Sequence, residues 1–440
     1  MKNKAIILTI MILTFICAIE VSPSLAQEVE PIYVALGGGA HGTLNKPTSG
    51  TYHPIGIIAA HRTANMLGSC TGWASRGFLA FCLNFPWVNN EAAVLWEDTA
   101  RYVGAAVTFL RRQPGITKIV LVGASGGGPT MSYYQAVAEN GPSYCQGLNK
   151  LIPCTSSNFP AALIPADGII FNDAHPGNTI NTLRSINGAV RNEKRPENLN
   201  PRLDPFDPKN GYNPNGPSHY PEDFQKRYFG AQSDRMNILI HEALQILREI
   251  ESSDNPTDDA AFPVPRGDNA RLLELDPSIH HSTVKPQQLL KNDGTVERCC
   301  IVESVRISQP GDAEDNASFN DGTRYLTVRS FLSANAIRST DSMDGIDECS
   351  SNNSTVCALK QISVPVLIVS SGGHYFIRDN EVHYEVAKST DKEFIVTEGA
   401  AHTGGRCVPC EAFSGQYANS AVNQMNYMVN WLLKPGRLIP

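Results

Sequence analysis

The tightest constraint on the fold lies at residues 118–139. An apolar run, Lys118-Ile-Val-Leu-Val122, passes without a break into Gly123-Ala124-Ser125-Gly126-Gly127-Gly128, and a helix-compatible stretch follows at 130–139. A strand that turns into a helix over so few residues needs side chains small enough for the two backbones to approach, which Gly and Ala supply. The surroundings repeat the theme. Residues 55–60, 78–84 and 167–171 read as further buried strands. Between 91 and 112, Val94, Leu95, Ala100, Val103, Val107 and Leu110 recur at helical spacing until Gln113-Pro114-Gly115 ends the helix. Strands alternating with helices predict a mostly parallel sheet with helices on both faces.

After Pro176 the rhythm breaks, and residues 177–360 are rich in Pro, Asn and Asp. One strong helix is predicted there, over about 221–252, with Ile238, Leu239, Ala243, Leu244, Leu247 and Ile250 on its apolar stripe. Strand-like runs return at 364–369 and 393–397, and a helix near 415–433 closes the pattern. The expected organisation is a core split into 27–176 and 361–440 by a large inserted cap at 177–360.

Residues 1–26 read as a secretory signal peptide: Lys2 and Lys4, then an apolar run at 5–19, then Ser24-Leu25-Ala26 before Gln27. The run is short of the ~20 residues needed to span a bilayer, and nothing later is long and apolar enough. A soluble chain, exported to a periplasmic or extracellular space, is expected. Lys and Arg number 36 against 43 Asp and Glu, a net charge of −7. Processing would remove Lys2, Lys4 and Glu20 and make it one unit more negative. Phosphate binding needs a basic surface, so nucleic acid is not an expected partner.

Processing also removes Cys17, leaving Cys70, Cys82, Cys145, Cys154, Cys299, Cys300, Cys349, Cys357, Cys407 and Cys410. An even count in an exported chain favours disulfides. Local bridges Cys145–Cys154 and Cys349–Cys357 are expected, with Cys299-Cys300 as candidate partners of Cys407 and Cys410. Zinc is disfavoured, because Cys407-Val-Pro-Cys410 has no second pair at finger spacing.

Gly123-Ala-Ser125-Gly-Gly127 fits G-x-S-x-G, in which the serine hydroxyl stands above the sheet as a nucleophile. A phosphate loop would end in Gly-Lys-Ser/Thr, and a dinucleotide fingerprint has different glycine spacing. Serine needs an adjacent base. His402, in Glu398-Gly-Ala-Ala-His402 after the last predicted strand, is placed to reach it. His61, His175 and His374 also lie near strand ends and are assigned to the pocket or loops.

These motifs, with His61-Arg62 after a strand, Gly68, Trp73, Arg76-Gly77-Phe78 and the final Gly-x-x-His, resemble the α/β-hydrolase superfamily of serine esterases and lipases. The resemblance covers residues 55–178 and 362–433. It implies an eight-stranded, mostly parallel sheet and a triad in the order Ser, acid, His. The commonest acid position, after the strand at 364–369, holds His374 instead. The acid is therefore placed at Asp173, where some members carry it, with Asp379 as the rival that more naturally starts a helix. Backbone N–H groups of Gly126 and Thr63 are the implied oxyanion donors, with Arg62 if the alignment slips by one.

Two weaker signals complete the reading. The spaced oxygens of Asp204, Asp207, Asn210 and Asn213 suggest a calcium loop but lack its terminal glutamate, so a proline-rich turn is preferred. Asn316 and Asn353 fit the glycosylation pattern. The function expected is hydrolysis of a small-molecule carboxylic ester through an acyl-enzyme, with no cofactor and no metal. A peptidase or amidase, or a catalytically silent binding protein on the same scaffold, is the alternative.

Overall fold

The computed structural model describes residues 27–159, 162–310, 318 and 321–440. The expected signal peptide and Asn316 lie outside them. Ten strands form one sheet in the order β1 (Val29–Gly37), β2 (Ala40–Pro47), β4 (Leu79–Asn84), β3 (Ile55–Ala60), β5 (Lys118–Ala124), β6 (Gly168–Asn172), β11 (Val366–Ser371), β12 (Lys392–Thr397), β8 (Gln287–Leu290) and β9 (Val296–Cys300). Every neighbour from β4 across to β8 runs parallel. β1–β2, β2–β4 and β8–β9 are antiparallel. A separate pair, β7 (Ala261–Val264) and β10 (Arg324–Thr327), is also antiparallel.

The central strands are buried along their length, as parallel strands covered on both faces must be, and their sequences are correspondingly continuous in Ile, Val, Leu and Ala. Alternate residues feed two cores. On one face Ile58, Leu121, Phe171 and Ile368 pack with Val103, Val107 and Leu110 of the helix Thr99–Arg111 and Met131 of the helix Gly127–Asn140. On the other, Ile57, Val120 and Leu367 pack with Trp73 and with Met428, Trp431 and Leu432 of the helix Ser420–Leu432. This is an α/β-hydrolase fold.

The sheet has ten strands, not the eight the resemblance implies, because β8 and β9 come from within 177–360 and extend its β12 edge. That segment therefore builds sheet as well as covering it. Its helix Glu222–Glu251 packs Met236, Leu239 and Ala243 against Leu183 and Phe331 in a core of its own.

Four disulfides tie the described residues: Cys70–Cys82, Cys145–Cys154, Cys349–Cys357 and Cys407–Cys410. Cys407 and Cys410 bond each other across one tight turn, so neither is left for Cys299-Cys300 as the sequence reading allowed. Cys70–Cys82 joins the loop after β3 to β4 over a separation of 12 residues. Opening a loop of that size costs ~2–3 kcal/mol on a chain-entropy estimate. Cys70→Ala/Cys82→Ala should accordingly melt several degrees below the wild type by circular dichroism; an unchanged melting temperature would contradict it.

The two weaker signals also receive an answer. Asp204 and Asp207 accept the N–H groups of Phe206 and Lys209, and Asn213 that of Asn215, so these oxygens serve turns. Asn353 is fully buried, with Oδ1 accepting from Asn178 N and Nδ2 donating to Ala334 O. No glycan fits there.

Candidate active site

The turn from β5 into the helix Gly127–Asn140 is as tight as its composition predicts. A Cβ at Gly123 would lie 2.6 Å from Gly127 O, and one at Gly127 would lie 2.2 Å from Ala60 O. Ser125, between them, has φ +54°, in the left-handed region that L-residues rarely occupy. Asp173 (φ +46°) and Thr403 (φ +65°) share it. Strain of ~1–3 kcal/mol per residue persists only where surrounding structure holds it, and it concentrates at functional sites. Here hydrogen bonds Ser125 N to Asn172 O (3.1 Å), His175 N to Ser125 O (3.0 Å) and Asp173 N to Val369 O (2.7 Å) hold the turns at β5 and β6. Asn172 Nδ2 donates to Thr403 O (3.0 Å).

The sequence-predicted residues converge. Ser125 Oγ is 2.8 Å from His402 Nε2, and His402 Nδ1 is 2.6 Å from Asp173 Oδ2. Asp173 is fully buried, and its other oxygen accepts the Ser371 N–H at 3.2 Å. Burial alone would raise its carboxyl pKa. The neighbouring His374 and His402 outweigh burial and hold it well below the usual carboxylate range.

Asp379, the rival acid, is committed elsewhere. It lies in the first turn of the helix Ile377–Val386 and accepts from Arg184 Nη1 at 3.0 Å with both oxygens, in a nearly buried pair.

Three histidines assigned to pocket or loops join the same cluster. His175 Nε2 is 3.0 Å from Ser125 Oγ, and its Nδ1 accepts from Asn181 Nδ2 at 2.7 Å, which leaves the ring proton on Nε2, facing the serine. Burial, reinforced by Arg62, pushes the His175 pKa well below its ordinary value, so the ring is neutral. His374 stacks on His402 with ring centroids 4.2 Å apart. Its Nδ1 lies 2.8 Å from Asp173 Oδ2 but out of line for a hydrogen bond. Burial pushes the His374 pKa down against the pull of Asp173, so the position that lacks an acid holds a ring packed beside the acid.

Next to Ser125, Gly126 is the N-cap of the helix Gly127–Asn140, where amides have no intrahelical partner. Thr63 is buried, but its N–H points at His61 Nδ1 (3.3 Å), which also accepts from Ala64 N (3.0 Å). Its hydroxyl donates to Glu91 (3.1 Å). Arg62 also pairs with Glu91, at 2.6 Å. A Cβ at Gly126 would lie 2.7 Å from both Arg62 Nη1 and His61 Nε2, so both groups reach the floor beside the nucleophile.

A cavity of about 440 Å³ opens at Ser125, lined by His61, Met66, Trp73, Asn172, Met425 and Met428 among others. Among the described residues none that lines it comes from 177–360, so this pocket is built by the core. The cap reaches the nucleophile indirectly, through Asn181 on His175. A larger cavity of about 770 Å³, at Tyr102, Phe109 and Leu163, contains none of the clustered residues.

Asn181, Asn172, His175 and His374 carry no sequence motif of their own, whereas His61 stands in the His61-Arg62 pair. Some of their contacts join distant parts of the chain, as with Asn172 and Thr403, and only folding brings those together.

No family model and no curated protein matches the chain. Solved structures similar to it include a siderophore hydrolase, EstB, from Aspergillus fumigatus, with 11% identity, 92% of this chain and 97% of that chain covered, and a TM-score of 0.44. DcsB, solved with its substrate analogue, has 11% identity, coverage of 92% and 99%, and a TM-score of 0.41. A putative lipase from Acinetobacter baumannii AYE has 10% identity, coverage of 92% and 91%, and a TM-score of 0.35. Among the described residues no helix is long and apolar enough to cross a membrane.

Proposed function

We propose that this chain, on its α/β-hydrolase fold, is an exported serine hydrolase that cleaves small-molecule carboxylic esters through an acyl-enzyme at Ser125. The observation that carries the reading is the continuous hydrogen-bonded line Ser125 Oγ, His402, Asp173, at 2.8 and 2.6 Å. Each group has the partner its role requires. Asp173 accepts from His402 Nδ1, which fixes the lone pair on Nε2 and stabilises the imidazolium that forms. His402 Nε2 takes the Ser125 proton as Oγ attacks the acyl carbon, then returns it to the leaving alcohol. His175 Nε2–H donates to the same Oγ and so supports negative charge on it. Gly126 N–H meets the oxygen of the tetrahedral intermediate. Water, activated by His402, then releases the acid.

The apolar lining of the cavity by Met66, Trp73, Met425 and Met428 suits a hydrocarbon portion of the substrate. Export is supported by the signal-like leader and agrees with four disulfides.

One observation favours a second reading. Asp173, His374 and His402 offer atoms within 4.8 Å of one another, a grouping able to hold a metal ion. Their spacing argues for proton transfer instead. Ligands at ~2.0–2.1 Å from a tetrahedral zinc stand more than ~3.2 Å apart, whereas His402 and His374 lie at 2.6 and 2.8 Å from one Asp173 oxygen.

A fluorophosphonate probe should label Ser125 and stop hydrolysis of p-nitrophenyl esters, and treatment with a chelator should leave the rate unchanged. Peptide mapping that finds the label elsewhere, or nowhere, would refute the serine assignment. Turnover of the matching anilide as fast as the ester would move the activity to an amidase.

A further inference from the structure

We propose that His61 is a catalytic residue, whose Nε2–H joins the Gly126 N–H as the second donor to the oxyanion in place of the Thr63 amide. This rests on the serine-hydrolase reading above and concerns the same site.

The hydrogen bonds of the His61 ring set its tautomer. Backbone N–H groups only donate, and two of them, from Thr63 at 3.3 Å and Ala64 at 3.0 Å, converge on His61 Nδ1. Nδ1 therefore carries the lone pair, and the neutral ring has its proton on Nε2. The ring stays neutral, because burial, with Arg62 beside it, pushes its pKa down to about 3. His61 is thus locked as a donor through Nε2 at any ordinary pH.

The direction of that donor follows from the glycine it faces. His61 Nε2 and Arg62 Nη1 each lie 2.7 Å from the place a Gly126 Cβ would take. A backbone nitrogen is ~2.5 Å from its own Cβ position, so Gly126 N and His61 Nε2 are no more than ~5 Å apart. An oxygen accepting from both at ~2.9 Å bridges nitrogens up to ~5.8 Å apart. One acyl oxygen can therefore take both hydrogen bonds. His61 also lines the cavity that holds Ser125. Any side chain at position 126 would occupy this space, which gives the second x of G-x-S-x-G a reason to be glycine here.

The Thr63 amide serves a different purpose, since it is directed at His61 Nδ1. The loop spends two backbone donors on aiming one side-chain donor. Arg62, held by Glu91 through Nη2 at 2.6 Å, places the cationic Nη1 next to the same spot, 2.7 Å from the Gly126 Cβ position. A preorganised neutral donor with a nearby fixed positive charge favours an oxygen as it becomes negative.

The competing role for His61 is structural: it merely satisfies the Thr63 and Ala64 amides. His61→Asn separates the two. An asparagine Oδ1 accepts from N–H groups two and three residues on, as in an Asx turn, but its short side chain brings no donor to Gly126. In the full-length chain, His61→Asn is expected to keep its melting temperature within a few degrees and to lose 10²- to 10³-fold in kcat on a p-nitrophenyl ester, the loss typical of one oxyanion donor. KM should change less than threefold. The inhibition constant of an arylboronic acid, whose tetrahedral adduct on serine mimics the intermediate, should rise in step with the loss of kcat.

A folded His61→Asn with kcat within fivefold of wild type, or with kcat lowered but boronate affinity unchanged, overturns the assignment. Should that variant not fold, the same two measurements on His61→Ser decide, since a serine Oγ also accepts from N–H groups two and three residues on but does not reach Gly126. Labelling of wild-type Ser125 by the fluorophosphonate distinguishes failure here from failure of the serine-hydrolase reading, because only the latter abolishes the label.

Discussion

Ser125→Ala is expected to lower kcat by on the order of 10⁴-fold or more while leaving the fold intact. The substitution removes one oxygen, the atom that forms the acyl-enzyme, and changes little else in volume. It should also relieve strain to no great extent, because alanine at φ +54° meets the same steric conflict as serine. Two side-chain hydrogen bonds are lost, to His402 and His175, but both rings keep their other partners, Asp173 and Asn181. Melting temperature should therefore stay close to wild type, and ester turnover with circular dichroism on one preparation checks both. A well-folded variant that keeps most of its activity would remove Ser125 from the mechanism.

How much of this was legible beforehand follows from how local each cause is. β3, β5 and the elbow were readable because their reasons are written in consecutive residues: continuous apolar runs for buried parallel strands, and small residues where two backbones touch. The β1–β2 hairpin was not, since β1 faces solvent over much of its length and contains Pro31, so neither a buried run nor a clean alternation marks it. β8 and β9 escaped for a related reason. Four residues, Gln287-Gln-Leu-Leu290, become a strand only because β12 offers an unpaired edge. At the site, chain order and strand ends sufficed to suggest Ser125, His402 and Asp173. His61, His175 and His374 had the same strand-end signal but no assigned task, because a histidine's task depends on which of its nitrogens is occupied. Thr63 shows the converse: alignment by motif supplied a donor, and the structure turns that N–H towards a neighbouring ring.

Asp173→Asn is expected to cut kcat by roughly 10⁴-fold with a smaller effect on KM, because the amide keeps the shape and removes the charge. In the native chain, Asp173 Oδ2 accepts from His402 Nδ1 at 2.6 Å while Oδ1 accepts from Ser371 N at 3.2 Å. An asparagine can satisfy only one of these as an acceptor. If its oxygen keeps the Ser371 N–H, its NH₂ faces His402 and forces the proton onto Nε2, where it blocks uptake of the Ser125 proton. If it turns the other way, the Ser371 N–H loses its partner. Asp379→Asn should behave in the opposite manner. Its charge balances Arg184 in a pair whose side chains are 10% and 6% exposed, and leaving a buried cation without its partner costs ~3–5 kcal/mol. That variant should lose stability and, at temperatures where it remains folded, hydrolyse esters near the wild-type rate. Steady-state kinetics on both variants, each below its own melting transition, make the comparison. Loss of kcat in a folded Asp379→Asn with normal turnover by Asp173→Asn would make Asp379 the orienting acid and would break the line from Ser125 through His402 on which the proposed mechanism depends.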